Sequence, residues 1–153
     1  MGGMFMNNIN YEKLADKLHE ILEYDNGRPE DICTELMFDY GDYYKGIVYH
    51  GACCHTADDV RRNYYGFVSC SYDKEIAESF AQSYFSDTQD EEGVVFQVDI
   101  TNVLALDVQK LINDCYKNCP SNELCKYLYD SYNSENEILV YFEDIQDSIE
   151  FIS

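Results

Sequence analysis

Two glutamates two residues apart, Glu135 and Glu137, stand immediately before the apolar run Ile138-Leu139-Val140-Tyr141-Phe142. Alternate residues on a strand face the same way, so a strand beginning here turns both carboxylates to one side. Such a pair can stabilise developing positive charge and hold or deprotonate a nucleophile. In an acidic chain it can equally be a solvated strand end. Ser69 and Ser71 repeat the two-residue spacing within Gly66-Phe67-Val68-Ser69-Cys70-Ser71-Tyr72-Asp73. Hydroxyls placed so can orient a carboxylate without adding charge, or they can be ordinary turn residues. In Val48-Tyr49-His50-Gly51, a histidine at a strand end can donate to a ligand hydroxyl, and the glycine lets a ligand approach the backbone. The alternative is a satisfied structural histidine.

The elements that must position these residues follow from periodicity. A first helix is expected over 11–24, with Leu14, Leu18, Ile21 and Leu22 as its buried stripe and Asp25-Asn26-Gly27 as its stop. Pro29 suits the first turn of a second helix, with Glu30 and Asp31 near its start, Ile32, Leu36 and Met37 inward, and Gly41 at its end. The pattern then turns to strands: 46–50, interrupted by Gly51, and a short one over 67–69. Asp73 is placed to cap a helix reaching about Phe85, with Ile76, Ala77, Phe80 and Tyr84 on one side. A strand over 94–100, a helix over 108–115, a strand over 138–142 and a returning strand beside it over 148–152 complete the chain. The expectation is a single α+β domain over 1–153, with N-terminal helices over 1–43 and a mainly β core over 44–153.

The formal charge is −20, which excludes the usual nucleic-acid binder, since phosphate contacts need clustered Lys and Arg. It leaves a solvated surface or steering toward a basic protein partner, of which a DNA mimic is a special case. No apolar run approaches the ~18 residues of a membrane helix. The first ten residues lack a basic start and an apolar run, and Met6 stands where a myristoylation signal wants Ser or Thr. The seven cysteines are odd in number and irregular in spacing, which favours reduced thiols. Adjacent Cys53 and Cys54, between His50 and His55, do not match structural zinc spacing, so no metal is expected. The expected location is cytoplasmic, with action inside a host cell suited to so small and acidic a chain.

Taken in order, His-Gly at a strand, aromatic-x-Ser-x-Ser before a helix, and Tyr-x-x-Glu-x-Glu before a strand resemble the ADP-ribosyltransferase superfamily, over residues 45–142. The resemblance implies a split β-sheet core and NAD as the substrate cofactor. It makes Glu137 the catalytic carboxylate, Ser69 the residue orienting it, Glu135 the group engaging the acceptor, and Tyr132 part of acceptor recognition. Cys70 stands where the family's Ser-Thr-Ser motif has Thr. Tyr49, His50, Gly51, Ser71 and Tyr72 become cofactor-binding positions. Members with the Ser and Glu-x-Glu motifs usually carry Arg in the first motif; His50-Gly51 is similar instead to the poly(ADP-ribose) polymerases and diphtheria toxin. Glu135 resembles the arginine-modifying members.

The implied function is mono-ADP-ribosylation of a protein side chain, with arginine as one acceptor. Breaking the nicotinamide–ribose bond builds positive charge on the ribose, which a carboxylate can stabilise. The pyrophosphate needs local compensation, and Lys45, Arg61, Arg62 and Lys74 lie near the His50 and Ser69 segments; Arg61 and Arg62 can instead balance Asp58 and Asp59. Tyr72 or Tyr84 is a candidate for stacking. Two other functions remain open: an inactive ADP-ribosyltransferase-like or acidic decoy that inhibits a basic partner, and NAD hydrolysis with water as acceptor.

Overall fold

The computed structural model describes residues 9–23, 29–53, 55–82, 93–132 and 135–152. Tyr24, the Asp25-Asn26-Gly27 stop, Cys54, Tyr84, Phe85, Asn133 and Ser134 lie outside them. The described residues form seven helices and one seven-stranded antiparallel sheet. In chain order these are α1 (Tyr11–Leu22), α2 (Glu30–Tyr40), β1 (Asp42–Tyr43), β2 (Ile47–Ala52), α3 (Ala57–Asn63), β3 (Phe67–Ser71) and α4 (Lys74–Ala81). Then come β4 (Val94–Asp99), β5 (Leu104–Asp107), α5 (Val108–Asn118), α6 (Glu123–Tyr132), β6 (Glu137–Tyr141), α7 (Phe142–Ile145) and β7 (Glu150–Phe151).

The helices begin where side chains satisfy free backbone N–H groups. Asn10 accepts from the Lys13 amide and Asp73 from the Glu75 amide, while Thr56 and Asp59 form a reciprocal capping box on α3. The α1 stripe is buried as its spacing predicts, at Leu14, Leu18, Ile21 and Leu22, with Ala15 added. On α2 the inner residues are Cys33, Leu36 and Met37, with Ile32 only part-buried.

The strand order is β1-β5-β6-β3-β2-β4-β7. Side-chain alternation divides the central strands between two cores. Leu106 and Leu139, paired across β5 and β6, join α1, α2, α5 and α6 in one cluster. Ala105, Ile138 and Val140 point the other way, into a second cluster with Val48, Val68, Phe96 and Phe142. The N-terminal helices therefore share a core with α5 and α6, and five of the seven described helices follow residue 44, so the later part of the chain is not mainly β. Leu111, Ile112, Cys115, Cys125 and Leu128 give α5 and α6 their buried side.

Three strand expectations change. β2 runs through Gly51 instead of stopping there, and β3 extends to Ser71. The C-terminal strand pairs with β4 at the far edge of the sheet and not with β6, because α7 carries the chain away from β6. The sheet is hydrogen-bonded throughout, yet its halves meet weakly: β2 and β3 are joined by one residue pair, Tyr49 with Ser71, whereas β2 and β4 share six and β3 and β6 share five. That seam is where the site lies.

Candidate functional site

A cavity of about 380 Å³ opens over the β2–β3 seam. Its walls include Tyr49, His50 and Gly51 from β2, Ser69 and Ser71 from β3, and Glu137 from β6. Glu135 lies in the loop before β6, Tyr132 at the end of α6, and Ile76, Ala77 and Phe80 on α4. The fold thus brings His50, Ser69 and Glu137 to one cavity from three separate strands. The volume sits near the low end of small-molecule pockets, ~300–1,000 Å³.

Register explains how the carboxylate is held. Ser71 lies opposite Glu137, and Ser69 opposite Leu139, so all of these side chains share the helix-covered side of the sheet. Ser69 Oγ donates a 2.8 Å hydrogen bond to Glu137 Oε2 across the diagonal. Glu137 is only 5% exposed, so its carboxyl is buried against its neighbours and is not a solvated strand end. Glu135 reaches the same cavity by another route than strand alternation. Asn136 takes a positive φ of 48°, a conformation Asn tolerates, and turns the chain just before β6 begins. Ser71 Oγ donates to the Glu135 carbonyl at 2.8 Å and accepts from the Asp73 amide at 3.0 Å, tying this loop to the start of α4.

His50 lines the cavity, yet its ring is engaged otherwise than the sequence suggests. Alternation along β2 puts it with Val48 and Ala52, on the side opposite Tyr49 and Glu137. It nevertheless lines the cavity, at the seam where β2 and β3 share a single residue pair. Its Nδ1 lies 2.6 Å from the Ser69 carbonyl and its Nε2 2.9 Å from the Tyr64 hydroxyl. A carbonyl can only accept, so Nδ1 carries the proton and Nε2 accepts from Tyr64. Burial holds the imidazole below its ordinary pKa, in keeping with a neutral ring. Both nitrogens are thus engaged, and His50 has no free proton to donate to a ligand hydroxyl. Gly51 is likewise explained by packing: a Cβ there would lie 1.8 Å from the Ala77 carbonyl oxygen, so glycine is what lets α4 lie against β2.

Tyr132 lines the cavity while its hydroxyl donates to Glu23 Oε1 at 2.9 Å, and Tyr127 donates to the same oxygen at 2.9 Å. These bonds hold Glu23 below the usual carboxylate range. Burial, with the Glu23 bond next, pushes Tyr132 up to about 12. Phe80 lines the cavity but is 53% exposed and so belongs to its rim, not to an inner helix face. Cys70 is buried, and that burial, with Glu137 beside it, raises its thiol pKa, which rules it out as a ready nucleophile.

Other expected cofactor residues lie elsewhere. Arg61 sits on α3 with its guanidinium 4.7 Å from the Phe151 ring centroid, and Arg62 is exposed on the same helix. Neither lines the cavity, and neither do Lys45 or Lys74; among the described lining residues there is no Lys or Arg. Tyr72 packs against the second core cluster. Sequence reasoning missed Tyr64 as the partner of His50 and Leu22 as a cavity residue, since neither carries a local signal of its role. Among the described residues, no group of three or more His, Cys, Asp or Glu side chains is arranged to hold a metal ion, and no helix is long and apolar enough to cross a membrane.

No protein-family model, curated protein or solved structure matches the chain.

Proposed function

We propose that this cavity cleaves the nicotinamide–ribose bond of NAD and transfers ADP-ribose to a protein side chain, on an ADP-ribosyltransferase-like core. The observation that carries the reading is the buried Glu137 carboxylate, oriented by Ser69 at the mouth of a strand seam, with Glu135 on the same cavity. Cleavage develops positive charge on the ribose as neutral nicotinamide departs. A carboxylate about 4 Å from that charge contributes roughly 4 kcal/mol at an effective dielectric near 20, or about a thousandfold in rate. Glu137 is fixed before the reaction starts, so little reorganisation is needed as charge appears.

Glu135 then engages the acceptor. It precedes the strand on a loop, as a group that must meet a macromolecule should. A guanidinium is the acceptor that two adjacent carboxylates suit best, and the −20 charge of the chain favours basic targets. The experiment is incubation of the protein with labelled NAD and a cell lysate, followed by mass spectrometry to locate ADP-ribose. Transfer lost in both Glu137→Gln and Glu135→Gln supports the reading. Nicotinamide release that survives Glu135→Gln, with no protein labelled, assigns water as the acceptor.

A second reading has its own observation. No cation among the described lining residues faces the cavity to compensate a pyrophosphate. A protein built on this core that no longer turns over NAD, and inhibits a basic partner through its acidic surface, accounts for that. Its effect in cells would survive Glu137→Ala, whereas an enzyme's would not.

A further inference from the structure

At the seam, a side chain does what a backbone ladder would otherwise do. β2 and β3 pair only at Tyr49 and Ser71, and one residue away the His50 ring bridges the gap to the Ser69 carbonyl. The proton on Nδ1 leaves Nε2 able only to accept, and it accepts from Tyr64. Tyr64 is itself well held. It caps α3, its amide bonded to the Val60 carbonyl at 3.1 Å, and its ring stands edge-on to Phe142 at 5.6 Å. Burial pushes its phenol up to about 12, so it remains a proton donor across the physiological range. From Ser69 the chain of contacts continues through Oγ to Glu137.

We propose that Tyr64 is a positioning residue for Glu137: by donating to His50 Nε2 it anchors the ring so that Nδ1 keeps its bond to the Ser69 carbonyl, and that bond holds the Ser69 peptide and, through it, the hydroxyl that orients Glu137. Tyr64 itself does not line the Glu137 cavity; it lines a second cavity of about 390 Å³ that shares His50 and Ser69 with the first. Its influence therefore passes through two intervening residues. Such a role explains a tyrosine at this place better than packing alone, because Phe would fill the same space against Phe142 without anchoring the second ring nitrogen.

The test is Tyr64→Phe, which keeps the ring. It has a spectroscopic arm that rests on geometry alone and a kinetic arm that rests on the proposed NAD chemistry. In the first, nitrogen-15 spectra of the three histidines, with His50 assigned through His50→Gln, report its tautomer, and carbon-13 spectra report the Glu137 carboxyl. The wild type should show His50 protonated on Nδ1 alone, with that proton strongly downfield from its bond to the Ser69 carbonyl; Tyr64→Phe should shift the Nδ1 proton upfield as that bond weakens and move the Glu137 resonance. In the second, Tyr64→Phe should lower kcat for nicotinamide release about tenfold, the equivalent of one hydrogen bond at ~1.4 kcal/mol, with KM changed less than about twofold. An unchanged His50 Nδ1 proton resonance or Glu137 resonance overturns the proposal, as does an unchanged kcat in an active enzyme. Tighter NAD binding in Tyr64→Phe also overturns it, because Tyr64 would then be a group the substrate displaces from His50. If the wild type releases no nicotinamide, the NAD reading fails and the spectroscopic arm alone decides this one.

Discussion

Replacing Ser69 by alanine removes one oxygen and, on this account, a hydrogen bond that orients Glu137. The bond lost is 2.8 Å long and runs from a hydroxyl to a carboxylate that is 5% exposed. Hydrogen bonds to charged groups contribute about 1.5–3 kcal/mol. If the bond is retained in the transition state, its loss lowers kcat for nicotinamide release by about 10- to 150-fold. The alanine variant leaves Ser71, the Glu135 carbonyl it binds and the Asp73 cap untouched, so the loop before β6 should stay in place. The assay is release of labelled nicotinamide by Ser69→Ala, Glu137→Gln and the double variant, each checked for folding by circular dichroism. Because Ser69 acts through Glu137, the double variant should be no worse than Glu137→Gln alone. Independent, multiplying losses would refute the idea that the serine works by orienting the carboxylate. So would a Ser69→Ala enzyme with full kcat.

Gly51→Ala should lower stability by about 1–3 kcal/mol in urea unfolding, since the new methyl meets the Ala77 carbonyl and the Ala81 amide, backbone atoms that have no rotamer to escape into; a neutral substitution would mean α4 packs less closely than described. Charge reversal at Arg61 or Arg62 should change NAD affinity less than about twofold, because both stand outside the cavity and exposed charges contribute little; a large loss, by calorimetry, would return them to the pyrophosphate. Burial depresses the His50 pKa, so the folded state takes up this proton less readily than the unfolded chain, whose imidazole titrates near ~6.5. Stability from this group is full above that pH and declines below it, by at most ~1.4 kcal/mol per pH unit. His50→Gln should therefore flatten that limb of the stability profile in urea titrations, and an unaltered slope would contradict the buried neutral ring.

Much of the frame was legible from periodicity. The α1 stripe, the Asp73 cap and the strand after Gly93 declare themselves locally, because amphipathic spacing and capping act within a few residues. The Ser69–Glu137 contact was legible only as a resemblance: the residues are 68 apart, and no local rule pairs β3 with β6. α6 escaped notice because Tyr and Cys interrupt its apolar pattern, though Cys125 and Leu128 are buried. His50 lines the cavity, but the expected free proton for a ligand hydroxyl is absent for a physical reason. Its role depends on which side of β2 it faces and on Tyr64, and a histidine's type alone carries neither fact. Gly51 lines the cavity, and its missing side chain also makes room for α4, which its type alone does not announce. Arg61 and Arg62 are near the motifs in sequence, but α3 carries them to a different surface.

Purified protein incubated with NAD labelled in its nicotinamide, beside Glu137→Gln, decides the central claim. The account predicts steady release of free nicotinamide by the wild type and about a thousandfold less by the variant, the ~4 kcal/mol expected of a carboxylate facing the forming ribose cation. Equal rates for the two proteins, or no release from either with basic protein supplied as acceptor, would contradict it.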